Sequence, residues 1–276
     1  MSPPMPIPDV APALVPGTLD APAARILANG TLTALVTAAG SGFVQSGWRR
    51  VTSGGADAVD AHDGILFYLR DEDDGRLWSA AHAPVAGAPD AVRVSARPGC
   101  LRIERDEHGI EASLDVALAP DAAADVRRLR LRNASPRARR ISVTSCAGLV
   151  LHHPAAHASH PAFSKLFVQT RRDGDVLVAR RRPRGAEPEP LCAAHQLAGP
   201  GALEIETDRA RFLGRGRSLA RPAALEPGAA LGGGVGNVLD PLASQRRTVT
   251  LAPGETAEWI AVLAVGASEA QARDAA

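Results

Sequence analysis

The stretch Glu206–Pro222, ETDRARFLGRGRSLARP, sets five arginines around one phenylalanine and two glycines. Asp208, Arg209, Phe212, Gly214 and Arg217 recur at short intervals, and glycine allows a tight backbone between them. Arginine's planar fork of donors suits vicinal hydroxyls, carboxylates and phosphate alike, and an aromatic ring offers a flat apolar face to a sugar. The stretch reads as a loop able to hold a sugar or an oxyanion. A salt-bridged loop of purely structural purpose is the alternative.

Other constellations carry less chemistry. His152, His153, His157 and His160 lie in LHHPAAHASHPAF, where spacings of four and three would align three imidazoles on one helical face as metal ligands. Pro154 and Pro161 bracket the segment and it holds no carboxylate, so a polar loop is expected and no metal. The glycine-rich LGGGVGN, Leu231–Asn237, lacks the Gly-Lys-Ser/Thr ending of a phosphate-binding loop and reads as a flexible loop or tight turn. Asn133-Ala134-Ser135 fits a glycosylation acceptor but reads as a turn. Glycoside chemistry wants a carboxylic acid of raised pKa in a closed pocket. The acids here sit beside arginines or in turns, as in RDEDDGR, ERDEHG and ETDRAR. No nucleophile elbow or Ser/His/Asp order is present.

Bulk composition narrows the classes. A net charge of +1, from 31 cations against 30 anions, lacks the basic bias of phosphate-backbone binding, so no nucleic acid is expected. Lys165 is the sole lysine; single arginines therefore carry little weight and only their clustering counts. Cys100, Cys146 and Cys192 are widely spaced and odd in number, against both a disulfide framework and a zinc site. No unbroken apolar run reaches membrane-helix length and the start is proline-punctuated, so the expectation is a soluble, cytoplasmic protein without a membrane span.

The elements that would position these groups are strands. Residues 1–24 form a proline-rich arm. From there TLTALVTA and GILFYLRD are β-rich, and DEDDGRLWSA places an Asp-Gly turn before another run. VRVSARPGCLRIERDEHGIEASLDVALAP alternates apolar and polar residues across two turns. In DVRRLRLRN arginines fill the gaps between Val126, Leu129 and Leu131, the pattern of a strand with one wet side. RRISVTSCAGLVL is more apolar and reads as central; QRRTVTLAPGETAEWIAVLAVG is two runs hinged at Pro253-Gly254. Only SEAQARDAA, at the end, reads as a helical start. With a length that comfortably fills one domain, many short strands at close spacing imply an all-β fold, a large antiparallel two-sheet sandwich.

The blocks NGTLTALVTAAGSGF, ILFYLRDEDDGRLWSAAHAPV, HPAFSKLFVQT, RRRPRGAEPEPLCAAHQL, ETDRARFLGRGRSLARPAAL and VLDPLASQRRTVTLAPGET occur in that order. Together they resemble the N-terminal sandwich domain of glycoside hydrolase family 94, formerly glycosyltransferase family 36. The branch is that of the cyclic β-1,2-glucan synthases, with cellobiose and cellodextrin phosphorylases as more distant relatives. The resemblance implies a galactose mutarotase-like supersandwich over residues 25–268. It also implies that residues 269–276 begin a linker helix toward an (α/α)6 barrel, which carries the general-acid aspartate.

By resemblance, Asp208, Arg209, Phe212, Gly214 and Arg217 match the family's DRxxFxGxxR pattern and wall a carbohydrate pocket. Tyr68, Arg70 and Asp71 match a second block, His160 to Phe167 a third, and Trp48 remains from an aromatic-rich segment. A packed strand or corner is the alternative for these blocks. Where the family has a Thr-Arg-Trp triplet this chain has Thr52-Ser53-Gly54, and Ala38 stands where the family has an asparagine, which removes groups that usually hold sugars. The partners so implied are a β-linked glucan or glucose oligosaccharide, an (α/α)6 barrel chain and, since the phosphorylases wall their pocket partly across a dimer, a second copy. No cofactor and no catalytic residue are expected in the chain, which would be inactive alone.

Overall fold

The computed structural model describes residues 23–55, 63–183 and 191–276; most of the proline-rich arm lies outside them. In chain order the strands are β1 (Ala24–Ala28), β2 (Leu32–Thr37), β3 (Gly42–Ser46), β4 (Arg49–Thr52), β5 (Ile65–Asp71) and β6 (Leu77–Ser79). There follow β7 (Ala91–Arg97), β8 (Cys100–Glu107), β9 (Ile110–Leu118), β10 (Ala124–Asn133), β11 (Arg139–His152), β12 (Val168–Asp173) and β13 (Val176–Arg181). The last four are β14 (Cys192–Ala198), β15 (Ala202–Asp208), β16 (Pro241–Leu251) and β17 (Thr256–Gly266). Four short helices interrupt them: α1 (Pro154–Ser159), α2 (Pro161–Lys165), α3 (Arg209–Leu213) and α4 (Glu269–Asp274).

The strands form two antiparallel sheets. One runs β1-β2-β3-β4-β11-β16-β15, with β5 pairing the first half of β11 and β6 pairing β5; the other runs β12-β13-β14-β17-β10-β9-β8-β7. Their facing sides share one apolar cluster that includes Trp78 and Trp259, both almost fully enclosed. Alternation builds it: in β8 Leu101 and Ile103 point inward while Arg102 and Glu104 stay wet. The Pro98-Gly99 and His108-Gly109 turns connect β7, β8 and β9, and at the second both residues have positive φ, 54° and 75°. Pro253-Gly254 marks a crossing from one sheet to the other, since β16 and β17 belong to different sheets.

Three local expectations are corrected. The histidine segment is not a loop but α1 and α2, each with its proline at the first helical position, where the missing N–H costs nothing. The arginine stretch also holds a helix, α3, too short to leave an apolar period. In β10 the arginines do not all face water: Arg127 is in phase with Leu129 and Leu131, and inside the sandwich it pairs with Asp125 at 2.8 Å and donates to the Ile65 carbonyl at 2.8 Å.

α4 lies against β13, β14 and β17, with Ala272 buried beside Cys192 and Ala194. Among the described residues no helix is long and apolar enough to cross a membrane.

Candidate functional site

β5 is buried along its whole length because both of its faces are covered. Ile65, Phe67 and Leu69 enter the shared core; Leu66 and Tyr68 face outward. Over them lies the segment 209–231, which closes a second apolar cluster containing Phe212, Leu225, Leu231, Cys146 and Leu242. The Cys146 thiol is pushed up to about 12 by burial, so it packs as a small apolar group.

Polar side chains of the sheet clamp the backbone of this segment. Tyr68 Oη donates to the Leu219 carbonyl at 2.9 Å, and burial raises its pKa well above the phenolic range. Arg70, 3% exposed, donates to the Glu226 carbonyl at 2.7 Å and pairs with Glu72 at 3.0 Å. Arg246 of β16 donates to the Ala229 carbonyl at 2.7 Å and to the Ala224 carbonyl, and pairs with Glu204 at 3.4 Å. Burial pulls the Arg246 pKa below the usual guanidinium value. Glu204 in turn accepts the Leu231 N–H at 2.8 Å. Such ties satisfy carbonyls that a covering loop would otherwise bury unpaired.

Within the segment, Asp208 caps α3, accepting from the Ala210 N–H at 2.9 Å and more weakly from the Arg211 N–H. Gly214 ends the helix at φ +79°, where an added Cβ would lie 2.6 Å from the Ala223 Cβ. The chain then turns outward, and Arg217 bonds Glu226 across an open cleft of about 520 Å³ lined also by Gly216, Ser218 and Arg221. The hydrogen bond from Arg217, and then its charge, hold the Glu226 carboxyl below its ordinary range.

The expected pocket residues are thus distributed unevenly. Phe212 and Tyr68 are enclosed with ring centroids 6.0 Å apart, Arg70 is a clamp beneath the cleft, and Asp208 and Gly214 shape the turn. Asp71 faces the opposite way from Arg70. Its burial would raise its pKa, but the Asp73 N–H at 2.9 Å, Arg139 at 2.5 Å and Arg137 at 3.3 Å reverse that, and it stays below the usual range. Only Arg217, Arg209 and Trp48 keep substantial exposure.

Trp48 and Arg209 lie on one string of contacts. Trp48, half exposed between β3 and β4, packs on the His153 ring at 5.7 Å. His152 bonds Ser164 of α2 at 3.0 Å, Lys165 reaches Asp240 at 2.6 Å, and Asp240 also takes Arg209 at 3.3 Å. From Arg209 the chain runs through α3 to Arg217. Arg217 sits over the sheet's outer face beside Arg70, whereas the rim formed by these contacts follows the end of the nine-stranded sheet where β11 finishes and β16 starts. The block His160 to Phe167 supplies its middle, with Phe163 edge-on to Phe167 at 5.4 Å.

Sequence reasoning missed Arg246, Glu204 and Glu226. Alternation in PLASQRRTVTL was the available signal, since it separates Arg246, in phase with Leu242, from Arg247, in phase with Ala243. The glycine-rich stretch is explained too: it wraps β15, and side chains at Gly232 or Gly234 would come within 2.7 and 2.9 Å of the buried Glu206 carboxylate. Among the described residues no group of three or more His, Cys, Asp and Glu is placed to hold a metal ion. Sulfate- or phosphate-sized anions and hydroxyl-rich ligands both suit the donors at the cleft; a raised acid does not occur there, since Glu226 is held ionised.

Residues 16–276 match the sequence model described as "Glycosyl hydrolase 94, supersandwich domain". The chain is 36% identical over 238 residues to the cyclic beta-(1,2)-glucan synthase NdvB of Rhizobium meliloti (strain 1021), covering 83% of this chain and 8% of the synthase. It is 25% identical over 189 residues to the solabiose phosphorylase of Paenibacillus borealis, covering 68% of this chain and 24% of the phosphorylase. Its fold resembles a crystal structure of a putative aldose 1-epimerase from Escherichia coli K12, with a TM-score of 0.51 at 12% identity over 88% of this chain and 98% of that one.

Proposed function

The chain belongs to the glycosyl hydrolase 94 supersandwich family, and we propose from that premise that its rim and the Arg217 cleft contact a β-linked glucose oligosaccharide beside an (α/α)6 catalytic barrel. The barrel, on the same polypeptide or another, supplies the acid. In that reaction an incoming oxygen, of phosphate or of a second sugar, bonds to the anomeric carbon as the glycosidic C–O bond breaks; the barrel acid protonates the leaving oxygen. The supersandwich orients the glycan and excludes water.

The single observation that carries this reading is the clamped cleft. Arg217 and Arg221 project from a backbone fixed by Tyr68, Arg70 and Arg246, so their donors are pre-organised. No acid at the cleft is protonated at neutral pH for general-acid work: Glu226 is held ionised by Arg217. Calorimetry of the chain against β-1,2- and β-1,4-linked gluco-oligosaccharides tests it. Binding of about millimolar affinity or tighter, lost in Arg217→Ala, is the expected result; absence of heat with every sugar refutes it. Co-expression with a barrel-bearing chain is expected to give phosphorolysis or transglycosylation that neither gives alone.

A second reading, a structural or sugar-sensing module without the catalytic association, is favoured by the enclosure of Tyr68 and Phe212. It leaves Trp48 as the one exposed aromatic among the expected pocket residues. No heat with any of these sugars would select the structural module, and binding without activity under any pairing the sugar-sensing one.

A further inference from the structure

The outer face of the eight-stranded sheet carries a polar trough that the rim does not use. Strand register sets three rows across β7, β8, β9 and β10. In one row Asp115 is shared by Arg102 and Arg128, each at 2.6 Å, and in another Arg132 grips Glu111 at 2.9 Å. Between them runs Arg93, Glu104, Ser113 and Arg130, directly opposed in that order. Neither Arg93, Glu104 nor Arg130 makes an ion pair or side-chain hydrogen bond with a described residue, although the cross-strand spacing that allows the neighbouring pairs is the same. Asp106, on the adjoining row, likewise makes no ion pair or side-chain hydrogen bond with a described residue, although the charge of Arg93 reaches it. Small Ser113 and Ala91 leave a depression of about 430 Å³ among these four charges.

Two unpaired guanidiniums and two unpaired carboxylates sum to zero, so the trough has no preference for an anion or a cation. It does present fixed donors and fixed acceptors side by side. A neutral ligand that both donates and accepts at short intervals meets that pattern; vicinal hydroxyls do so, and no aromatic is present to favour a flat apolar ligand. The Asp106 carboxyl is pushed above its ordinary range, first by partial burial and then by Glu111, Glu104 and Asp90, and a donated hydroxyl would relieve it.

We propose that this trough is a second carbohydrate-binding site, in which Arg93 and Arg130 donate to hydroxyl oxygens of a neutral oligosaccharide and Glu104 and Asp106 accept from its hydroxyls. It rests on the charge balance of this face and stands whether or not the rim binds sugar. Such a site keeps a long glycan near the protein while its end is processed elsewhere.

The test is amide chemical-shift mapping of the full chain titrated with β-1,2-linked gluco-oligosaccharides and with cello-oligosaccharides. Perturbations on β8, β9 and β10 are expected, weakened about tenfold in Arg130→Ala and in Glu104→Gln and unchanged in Arg217→Ala. All three positions are on the surface, so melting temperatures close to that of the parent chain would verify folding. The proposal is overturned if neither oligosaccharide perturbs this face, if Arg130→Ala and Glu104→Gln bind as the parent does, or if the shifts vanish with Arg217→Ala. It is equally overturned if the same shifts arise from raising protein concentration without sugar, which would make the trough a contact between copies.

Discussion

Arg217 and Arg246 are chemically identical and thermodynamically opposite. The Arg217 side chain is 41% exposed and its partner Glu226 45%, so their ion pair is screened by solvent and adds little to stability. Arg217→Ala is expected to change the urea-unfolding free energy by less than about 0.5 kcal/mol. Arg246 is 3% exposed, and its loss would leave the Ala224 and Ala229 carbonyls without their donor and Glu204 without its guanidinium partner. Arg246→Met should cost about 2–4 kcal/mol in the same measurement. A smaller loss than that of Arg217→Ala would show that the segment is not held from beneath. Gly214→Ala belongs with Arg246→Met: a side chain at φ +79° is strained and meets Ala223, and a loss of about 1–3 kcal/mol is expected. None of this ranking was legible in the sequence, where Arg217 sits in the conspicuous cluster and Arg246 in a strand rich in polar residues. Burial depends on the covering segment, and β5, which that segment covers, lies about 150 residues earlier in the chain.

Elements are joined across the sandwich by polar stitches as well as by apolar packing. His195 on β14 meets Ser145 on β11 at 2.8 Å and the Val262 carbonyl at 3.0 Å, linking the two sheets; Gln245 on β16 accepts the Leu197 N–H of β14. Burial, and to a lesser degree the charge of Arg127, lowers the His195 pKa to about 4, so it is neutral in the native state at any ordinary pH. In the unfolded chain the imidazole titrates near 6.5. Between those values the unfolded state binds more protons, so stability falls as pH falls, beginning near 6.5 and ending near 4. The span is worth roughly 3 kcal/mol. Subtracting the pH profile of His195→Gln from that of the parent chain should isolate this loss; a flat difference would mean that His195 titrates normally or makes no net contribution. The hairpins were legible, because Pro98-Gly99 and His108-Gly109 encode their turns locally. α1 and α2 were not, because prolines that open helices are the same residues that break them and the helices are only a turn or so long.

At the scale of the molecule, sandwich class and family were both legible, since alternation and six ordered blocks do not depend on side-chain detail. The pairing of strands was not, because the sheets are assembled from distant partners: β10 pairs β17, with Ala124 opposite Ala264, and β11 pairs β16, with Arg139 opposite Leu251. Neither sheet covers its own inner face, and one apolar cluster spans both. The two sheets are therefore expected to unfold together. The three tryptophans allow a direct check, because Trp78 lies in one sheet and Trp259 in the other, both at most 1% exposed, while Trp48 is on the rim. In a Trp48→Phe background, Trp78→Phe leaves a reporter in the eight-stranded sheet and Trp259→Phe leaves one in the nine-stranded sheet. Each variant will be less stable than the parent, since each loses part of a buried indole. Within each variant, however, the fluorescence midpoint in urea should coincide with that of far-ultraviolet circular dichroism, because no half of the sandwich can keep its core without the other. Separated midpoints in either variant would mean that one sheet retains a stable fold alone, and that the shared cluster and the His195 stitch couple them less than their burial implies.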